Sequence, residues 1–269
     1  MIKEHPILTA HGSFADHVKL GRKPKREDHR TLELAKYLKK DVVLPTIPAS
    51  CDYTKDVTEW PMYGNDSMGD CTCAAAGHMI QGWSAAAGAA KTPADNDVIT
   101  LYAETGDPPS STITPGSPQD DGRDEMSVLN FWRQNGLGTD KIEAYVSVDP
   151  SDEQMVKAAI YLFGGVYTGI ALPITAQSQS VWDVVDAPPD QNEPGTWGGH
   201  AVPYLAFDGT SYTCITWGHP LQLTKAFHAE YTDEVYAVLS SDFLAANSLS
   251  PDGFDLNALR ADLLEVSSN

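Results

Sequence analysis

The sequence predicts an α+β protein with two lobes, one helical and one built on a small antiparallel sheet or barrel, with a cleft between them. Two observations predict this class. The first half of the chain carries apolar residues at helical spacing together with helix-capping residues. After Gly165 the pattern changes to short β-rich runs bounded by glycine, proline, aspartate or serine.

Five segments carry helix signals. They are residues 31–40, a segment that begins near Cys71, and residues 98–104, 124–135 and 155–163. The fourth segment is followed by Gly136, and glycine favours the left-handed conformation in which many helices end. The fifth follows Ser151, which opens a capping-box pattern.

Four segments carry strand signals. They are residues 166–172, 201–207, 212–217 and 235–239. Between the second and third, Asp208-Gly209 favours a tight turn. We therefore expect residues 201–207 and 211–217 to pair as an antiparallel hairpin.

The charge of the chain limits its partners. Among 269 residues there are 37 acidic and 18 basic side chains, a formal charge of −19. Such a field repels phosphate backbones and anionic lipid headgroups, so we expect neither nucleic acid nor a membrane as a partner. Residues 1–41 are different, with 10 basic and 6 acidic side chains. We expect this basic arm to dock on the body of its own chain or on an assembly partner.

We expect three regions along the chain. Residues 1–44 form the basic arm, residues 45–245 the main domain, and residues 246–269 a tail with a short helix. Within the main domain the helical lobe covers about 45–150 and the β-rich lobe about 151–245. No export signal or membrane span is visible, so we expect a soluble, cytoplasmic protein with reduced thiols, while non-classical export or association with a particle stays open.

Cys71 is the first candidate for chemistry. It follows a glycine-rich loop, residues 64–70, at the predicted start of a helix, where unpaired backbone amides favour the thiolate. His78 lies seven positions later, roughly 10 Å along the helix axis, and is too distant to act as the base. His200 follows two glycines and opens an apolar strand, so it is the better partner for a thiolate–imidazolium pair.

Several motifs, in order along residues 45–240, resemble the papain-like cysteine peptidases. They are Ile47-Pro48 followed by Asp52-Tyr53, Asn65 to Cys71 for the family's Gln-x-x-x-Gly-x-Cys segment, Gly199-His200-Ala201-Val202 for its His-Ala-Val strand, and Thr213 to Gly218 for its Asn-Ser-Trp-Gly segment. Each motif alone is weak, but together and in this order they are fairly specific.

The resemblance implies a papain-like two-lobe fold, with a barrel-like β lobe, and peptide-bond hydrolysis. It makes Cys71 the nucleophile and His200 the general base and acid, with Asn65 and the backbone N–H of Cys71 holding the oxyanion. It also suggests a set of substrate-binding residues: Gly69, Asp70, Gly199 and Trp217. The arm then resembles a short pro-like segment, although it is shorter than the typical inhibitory prosegment of the family.

Two departures from the family pattern affect the predicted activity. In the Trp-Gly register the asparagine that orients the histidine falls on Ile215, which has no polar group, and Thr216 is expected on the opposite face of the strand. Asn65 is one methylene shorter than the family's glutamine. These departures keep two other functions open: a catalytically degenerate binding or assembly protein, and an amidase or acyltransferase that uses the same dyad.

We expect a peptide or protein substrate and neither a cofactor nor a metal ion. Cys71, Cys73 and His78 lack the paired-cysteine spacing of zinc sites. The acidic loop at residues 120–125 lacks the ligand spacing of an EF-hand, and we interpret it as a solvated loop or helix start.

Overall fold

The computed structural model describes residues 3–28, 31–36 and 46–240. The α-helices in these ranges are α1 (Pro6–His11), α2 (Cys71–Ala86), α3 (Asp95–Glu104), α4 (Glu125–Gln134), α5 (Glu153–Phe163), α6 (Pro189–Asn192) and α7 (Lys225–Tyr231), and Leu34–Lys36 and Ile174–Ser178 are 3-10 helices. The strands are β1 (Cys51–Asp52), β2 (Ala144–Val148), β3 (Val166–Leu172), β4 (Val181–Trp182), β5 (Gly198–Phe207), β6 (Ser211–Thr216), β7 (His219–Thr224) and β8 (Thr232–Leu239).

The strands form one sheet in the order β2-β8-β3-β5-β6-β7-β4, with β1 paired to β5. All neighbours are antiparallel except β4 and β7. Within the described ranges β2 and β4 stand at the two ends, so the sheet does not close into a barrel. The predicted α+β class and antiparallel sheet are confirmed, and the predicted hairpin is β5 paired with β6.

Most predicted elements lie where the patterns placed them. The helix predicted over residues 31–40 differs, because its described part contains only the 3-10 turn Leu34–Lys36 and residues 31–33 are not helical. The helix predicted from Ser151 begins at Glu153 and its cap is Asp152, whose carboxylate accepts a hydrogen bond from Met155 N at 3.0 Å. Ser151 instead donates to Asp149. The prediction for residues 37–40 and that for the tail at 246–269 fall outside the described residues.

Helix α2 is the buried centre of the helical part. Almost all of its side chains are buried, because it packs against β5 on one side and α3 and α4 on the other. This explains its alanine- and glycine-rich sequence, since only small residues let so many neighbours approach one helix. Gly77, for example, faces the Tyr63 ring so closely that a Cβ there would lie 2.8 Å from it. This packing fixes Cys71, the first residue of α2, in the protein interior.

The N-terminal arm runs over the body of the chain. Leu8, Phe14 and Val18 are buried in the hydrophobic cluster that lies between the sheet and α5. Further along, the carbonyl of Leu32 accepts a hydrogen bond from Ser147 N of β2 at 2.7 Å. In the described parts of the chain, no helix is long and apolar enough to cross a membrane.

Candidate active site

The Cys71 thiol lies at the N-terminus of α2 and is closed off from solvent. The residue is 1% exposed. Burial has the largest effect and raises the pKa of Cys71 to about 12, although the nearby backbone amides of Ala201 and Gly21 favour the thiolate. The thiol is therefore uncharged at neutral pH in this arrangement.

His200 lies near the start of β5, in the strand that also supplies the Ala201 amide. Its Nε2 is 2.7 Å from Thr216 Oγ1, and its ring stacks on Trp217 with 4.6 Å between ring centroids. Burial, with a further contribution from the positive charge of Arg22, lowers the pKa of His200 to about 3. When Nε2–H donates to Thr216, the other ring nitrogen, Nδ1, keeps the lone pair that a general base needs.

Thr216 is within hydrogen-bond distance of the His200 ring, so the expectation that Thr216 lies on the opposite face of the strand was wrong. Side chains alternate along a strand, and Thr216 is two residues after Cys214. Cys214 pairs with Tyr204 of β5, and Tyr204 is an even number of residues from His200, so all four side chains share one face of the sheet. The expected register missed this because it placed the orienting residue at Ile215, one position too early.

Trp217 owes its position to an unusual backbone conformation. Its φ is +45°, which few residues other than glycine adopt, and it ends β6 directly after Thr216. Gly218 follows with a φ of +73°. This turn brings the indole onto the His200 ring, and its Nε1 donates to the carbonyl of Lys19 in the arm at 3.2 Å.

Asn65 contacts the arm rather than an open oxyanion site. Its side-chain Nδ2 donates to Lys19 O at 3.2 Å and to Met68 O at 3.1 Å, and its backbone carbonyl accepts from Lys19 N at 3.0 Å. The same Lys19 carbonyl accepts from Trp217. Two predicted site residues therefore hold one backbone carbonyl of the arm.

Residues 19–23, which we call the cleft segment, pass directly over the Cys71 region. Gly21 comes so close to Gly69 that a Cβ at Gly21 would lie 1.8 Å from Gly69 O. On one side, Gly21 O accepts from Arg123 N at 2.8 Å. On the other, Arg22 N donates to Gly199 O at 3.1 Å. The cleft segment is thus bound through its backbone on both sides.

The structure brings most of the predicted site together around this segment. Cys71, His200, Asn65, Gly69, Gly199 and Trp217 all lie beside it or bond to it. Asp70, the remaining predicted residue, is the fully buried N-cap residue of α2. Burial raises the pKa of its carboxyl well above the ordinary value.

The Arg22 side chain occupies a site that the sequence analysis missed. The guanidinium lies among the carboxylates of Glu125, Asp233 and Glu234, which we call the acidic pocket, and only 2% of the side chain is exposed. Burial disfavours the charge, but the three carboxylates outweigh it and raise the pKa of Arg22. The one visible signal was an Asp-Glu pair inside the otherwise apolar β8, far from Arg22 in sequence.

No group of three or more histidine, cysteine, aspartate or glutamate side chains in the described ranges is arranged to hold a metal ion. The residues of the site are those of thiol and imidazole chemistry.

Comparisons with known proteins bear on the fold. No protein-family model matches this sequence, and no curated protein matches it in sequence. Among solved structures it is similar to xylellain, a cysteine protease from Xylella fastidiosa, with a TM-score of 0.60 and 12% identity over 83% of this chain and 97% of that one.

Two further solved structures are similar to it. One is a digestive procathepsin L2 from Tenebrio molitor larval midgut, with a TM-score of 0.57 and 13% identity over 89% of this chain and 84% of that one. The other is a ragweed pollen cysteine protease in its proform, with a TM-score of 0.51 and 16% identity over 75% and 69%. The chain therefore has the fold of the papain-like cysteine proteases.

Proposed function

We infer that this protein is a cysteine peptidase that hydrolyses peptide bonds with Cys71 as nucleophile and His200 as general base and acid. One observation carries the proposal. The extended cleft segment lies beside the Cys71 thiol and is bound through its backbone on both sides, as a peptide substrate in a peptidase cleft would be. The similar solved structures are all proteases by name, two of them cysteine proteases, and they support the same chemistry.

The side chains and backbone amides of the site can carry out each step of the reaction. Nδ1 of His200 takes the thiol proton, and the Cys71 thiolate attacks the carbonyl carbon of the peptide bond. The backbone N–H of Cys71 and the Asn65 amide stabilise the oxyanion that forms. The imidazolium then donates its proton to the leaving amine, and water attacks the thioester to release the acid and restore the thiol. Thr216 holds the imidazole ring in place throughout.

In this arrangement the cleft segment blocks the reaction. It shields Cys71 from solvent and occupies the Asn65 amide that the oxyanion needs. Burial keeps the thiol and the imidazole uncharged, and the nearby Arg22 charge further disfavours imidazolium. Two of the similar structures are pro-forms by name, which supports an inhibitory role for the arm. Activity then requires the cleft segment to leave.

The test is labelling of the purified full chain with an epoxysuccinyl peptide, with the modified residue identified by mass spectrometry. We expect slow labelling of Cys71 in the original chain and faster labelling in an Arg22→Ala variant, whose arm is held less firmly. Labelling at a pH well below the ~8.5 of a free thiol indicates the ion pair. Cys73, buried in the same helix, is the internal control.

Turnover of a peptide substrate provides the second readout. Cys71→Ala is expected to abolish turnover with an unchanged circular dichroism spectrum, whereas Cys73→Ala keeps it. Turnover that survives Cys71→Ala contradicts the proposal.

A catalytically inactive binding protein is the second candidate, because the thiol is fully covered in the structure. It predicts that Cys71 resists labelling in both the original chain and Arg22→Ala.

A further inference from the structure

We propose that the acidic pocket is a specificity pocket for the arginine side chain of a peptide substrate, and that Arg22 of the arm occupies it in the resting protein. The inference rests on the proposed peptidase function and names the substrate class. The pocket lies beside the cleft, because Arg22 follows Gly21, which packs against Gly69, and because Arg22 N donates to the carbonyl of Gly199, next to His200.

The carboxylates of the pocket match the shape of a guanidinium group. Asp233 accepts from two nitrogens, with Nη1 at 3.2 Å and Nη2 at 2.5 Å, and Glu234 Oε1 accepts from Nε at 3.0 Å and Nη2 at 2.5 Å. The planar fork of arginine is therefore recognised along two edges. Lysine carries a compact ammonium and cannot make this set of bonds, so the pocket favours arginine.

Gly169 of β3 leaves room for the guanidinium. A Cβ at this position would lie 2.3 Å from Arg22 Nε and 2.5 Å from its Cζ, so any side chain there would collide with the bound group. The backbone of Gly169 does not have a positive φ. The glycine at this position therefore serves to make room for the guanidinium, and no backbone turn requires it.

Glu125 is the most deeply buried carboxyl group of the pocket. Its side chain is fully buried, and among the described residues its carboxylate oxygens accept no hydrogen bond. Oε1 lies 3.4 Å from Arg22 Nε. Burial and the charge of Glu234 raise the pKa of Glu125, and the Arg22 charge opposes that shift. Removal of Arg22 therefore leaves a buried carboxyl group that takes up a proton or pairs with another cationic side chain.

The alternative is that Arg22 only latches the arm to the body. In the first role the pocket binds only Arg22 of its own chain. In the second role it also binds the arginine of a separate peptide in preference to other side chains. The two roles therefore differ in what an added peptide does.

The experiment uses the full-length Arg22→Ala chain and two dye-labelled peptides. One is acetyl-Leu-Gly-Arg-Lys-amide, which copies residues 20–23, and the other carries citrulline in place of arginine, with the same shape and no charge. We expect fluorescence polarisation to show at least tenfold tighter binding of the arginine peptide. Equal affinities, or no binding of either peptide, overturn the proposal.

Variants of the pocket localise the effect. Asp233 is half-exposed, so Asp233→Asn preserves the fold, and in the Arg22→Ala background it should reduce the preference for arginine. Gly169→Ala in the same background should remove the preference for arginine, because the added methyl group occupies the space of the guanidinium. If Arg22→Ala does not fold, the original chain is tested instead, and an excess of the arginine peptide should speed Cys71 labelling more than the citrulline peptide does. Equal labelling rates count against the pocket.

The outcomes for the pocket and for the peptidase are separable. A tenfold preference in binding without any turnover supports the pocket and contradicts the peptidase. Turnover of arginine and citrulline peptides at equal kcat/KM supports the peptidase and contradicts the pocket.

Discussion

The charge state of Cys71 depends on what covers it. A helix N-terminus lowers the pKa of a thiol when the thiol is accessible, and the sequence led to that expectation. In the structure, burial opposes this effect and dominates, since the pKa is raised to about 12. If residues 19–23 move away, the burial that raises this pKa is lost, and the helix N-terminus then favours the thiolate.

Thr216 is the second residue whose role can be measured. Thr216→Val keeps the shape and removes the hydroxyl that holds His200 Nε2. One hydrogen bond contributes about 1 kcal/mol, so we expect kcat/KM to fall about fivefold to tenfold. Thr216→Ser, which keeps the hydroxyl, should stay near the original value.

The pH profile separates positioning from a general loss of structure. If Thr216 orients the imidazole, Thr216→Val shifts the pH dependence of kcat/KM, and Thr216→Ser restores it. A uniform loss at every pH, with the profile unmoved, contradicts a positioning role.

At the scale of elements, the cleft segment depends on close backbone contact. Gly21→Ala places a methyl group where only 1.8 Å separates it from Gly69 O, so the segment must move away from the cleft. We expect Cys71 to be labelled faster in this variant than in the original chain. Gly209→Ala is the matched control, because a Cβ there meets nothing within 4 Å and should leave the rate unchanged. Unchanged labelling in Gly21→Ala contradicts the close contact.

The start of the arm should respond to acid. His5 Nε2 lies 3.1 Å from Thr216 O, and the ring packs against Phe14 and, at 5.2 Å, against His219. Burial, with a smaller effect of His219, lowers the pKa of His5 to about 4 from an ordinary 6.5. Protonation therefore favours the undocked arm, and the docking energy falls as the pH drops from about 6.5 to about 4.

Hydrogen exchange measures this effect. After correction for intrinsic rates, amides of residues 7–23 should be less protected at pH 4.5 than at pH 7. His5→Phe keeps the aromatic packing and cannot titrate, so it should show a smaller change between the two pH values. Equal losses of protection in both proteins would exclude His5 as the cause.

The elements that the sequence predicted were those with strong local patterns. Strand β3 has the predicted bounds, because a mostly apolar run lies between a Gly-Gly pair and a proline. Strand β7 was missed because Pro220 stands near its start, and proline argues against a strand. The place of Thr216 was not within reach of local patterns, because a register shift between Tyr204 and Ala206 of β5 is what puts Thr216 on the same face as His200.

The acidic pocket was not within reach. About 100 residues separate Arg22 from Glu125, and more than 200 separate it from Asp233 and Glu234. Only the fold brings these side chains together. No local pattern marks an ion pair between such distant positions. The proposed dyad of Cys71 and His200 could be named from the sequence, because each residue lies in a recognisable local motif.

At the scale of the whole molecule, the charge of the chain is unevenly divided. The arm carries an excess of four positive charges, and residues 42–269 carry 8 basic and 31 acidic side chains. An arm that leaves the cleft therefore exposes a strongly negative body, and such a field attracts cationic peptides before they bind. This long-range attraction and the acidic pocket favour the same class of substrate.

The contact between the arm and β2 has a different consequence. Strand β2 stands at one end of the sheet, and there the carbonyl of Leu32 pairs with Ser147 N. An uncovered sheet edge offers free backbone donors and acceptors to a second molecule, and it invites edge-to-edge aggregation. A protease cut between residues 23 and 31 would release the cleft segment and keep that edge covered, whereas removal of the arm as far as residue 46 would also expose the edge to a second molecule.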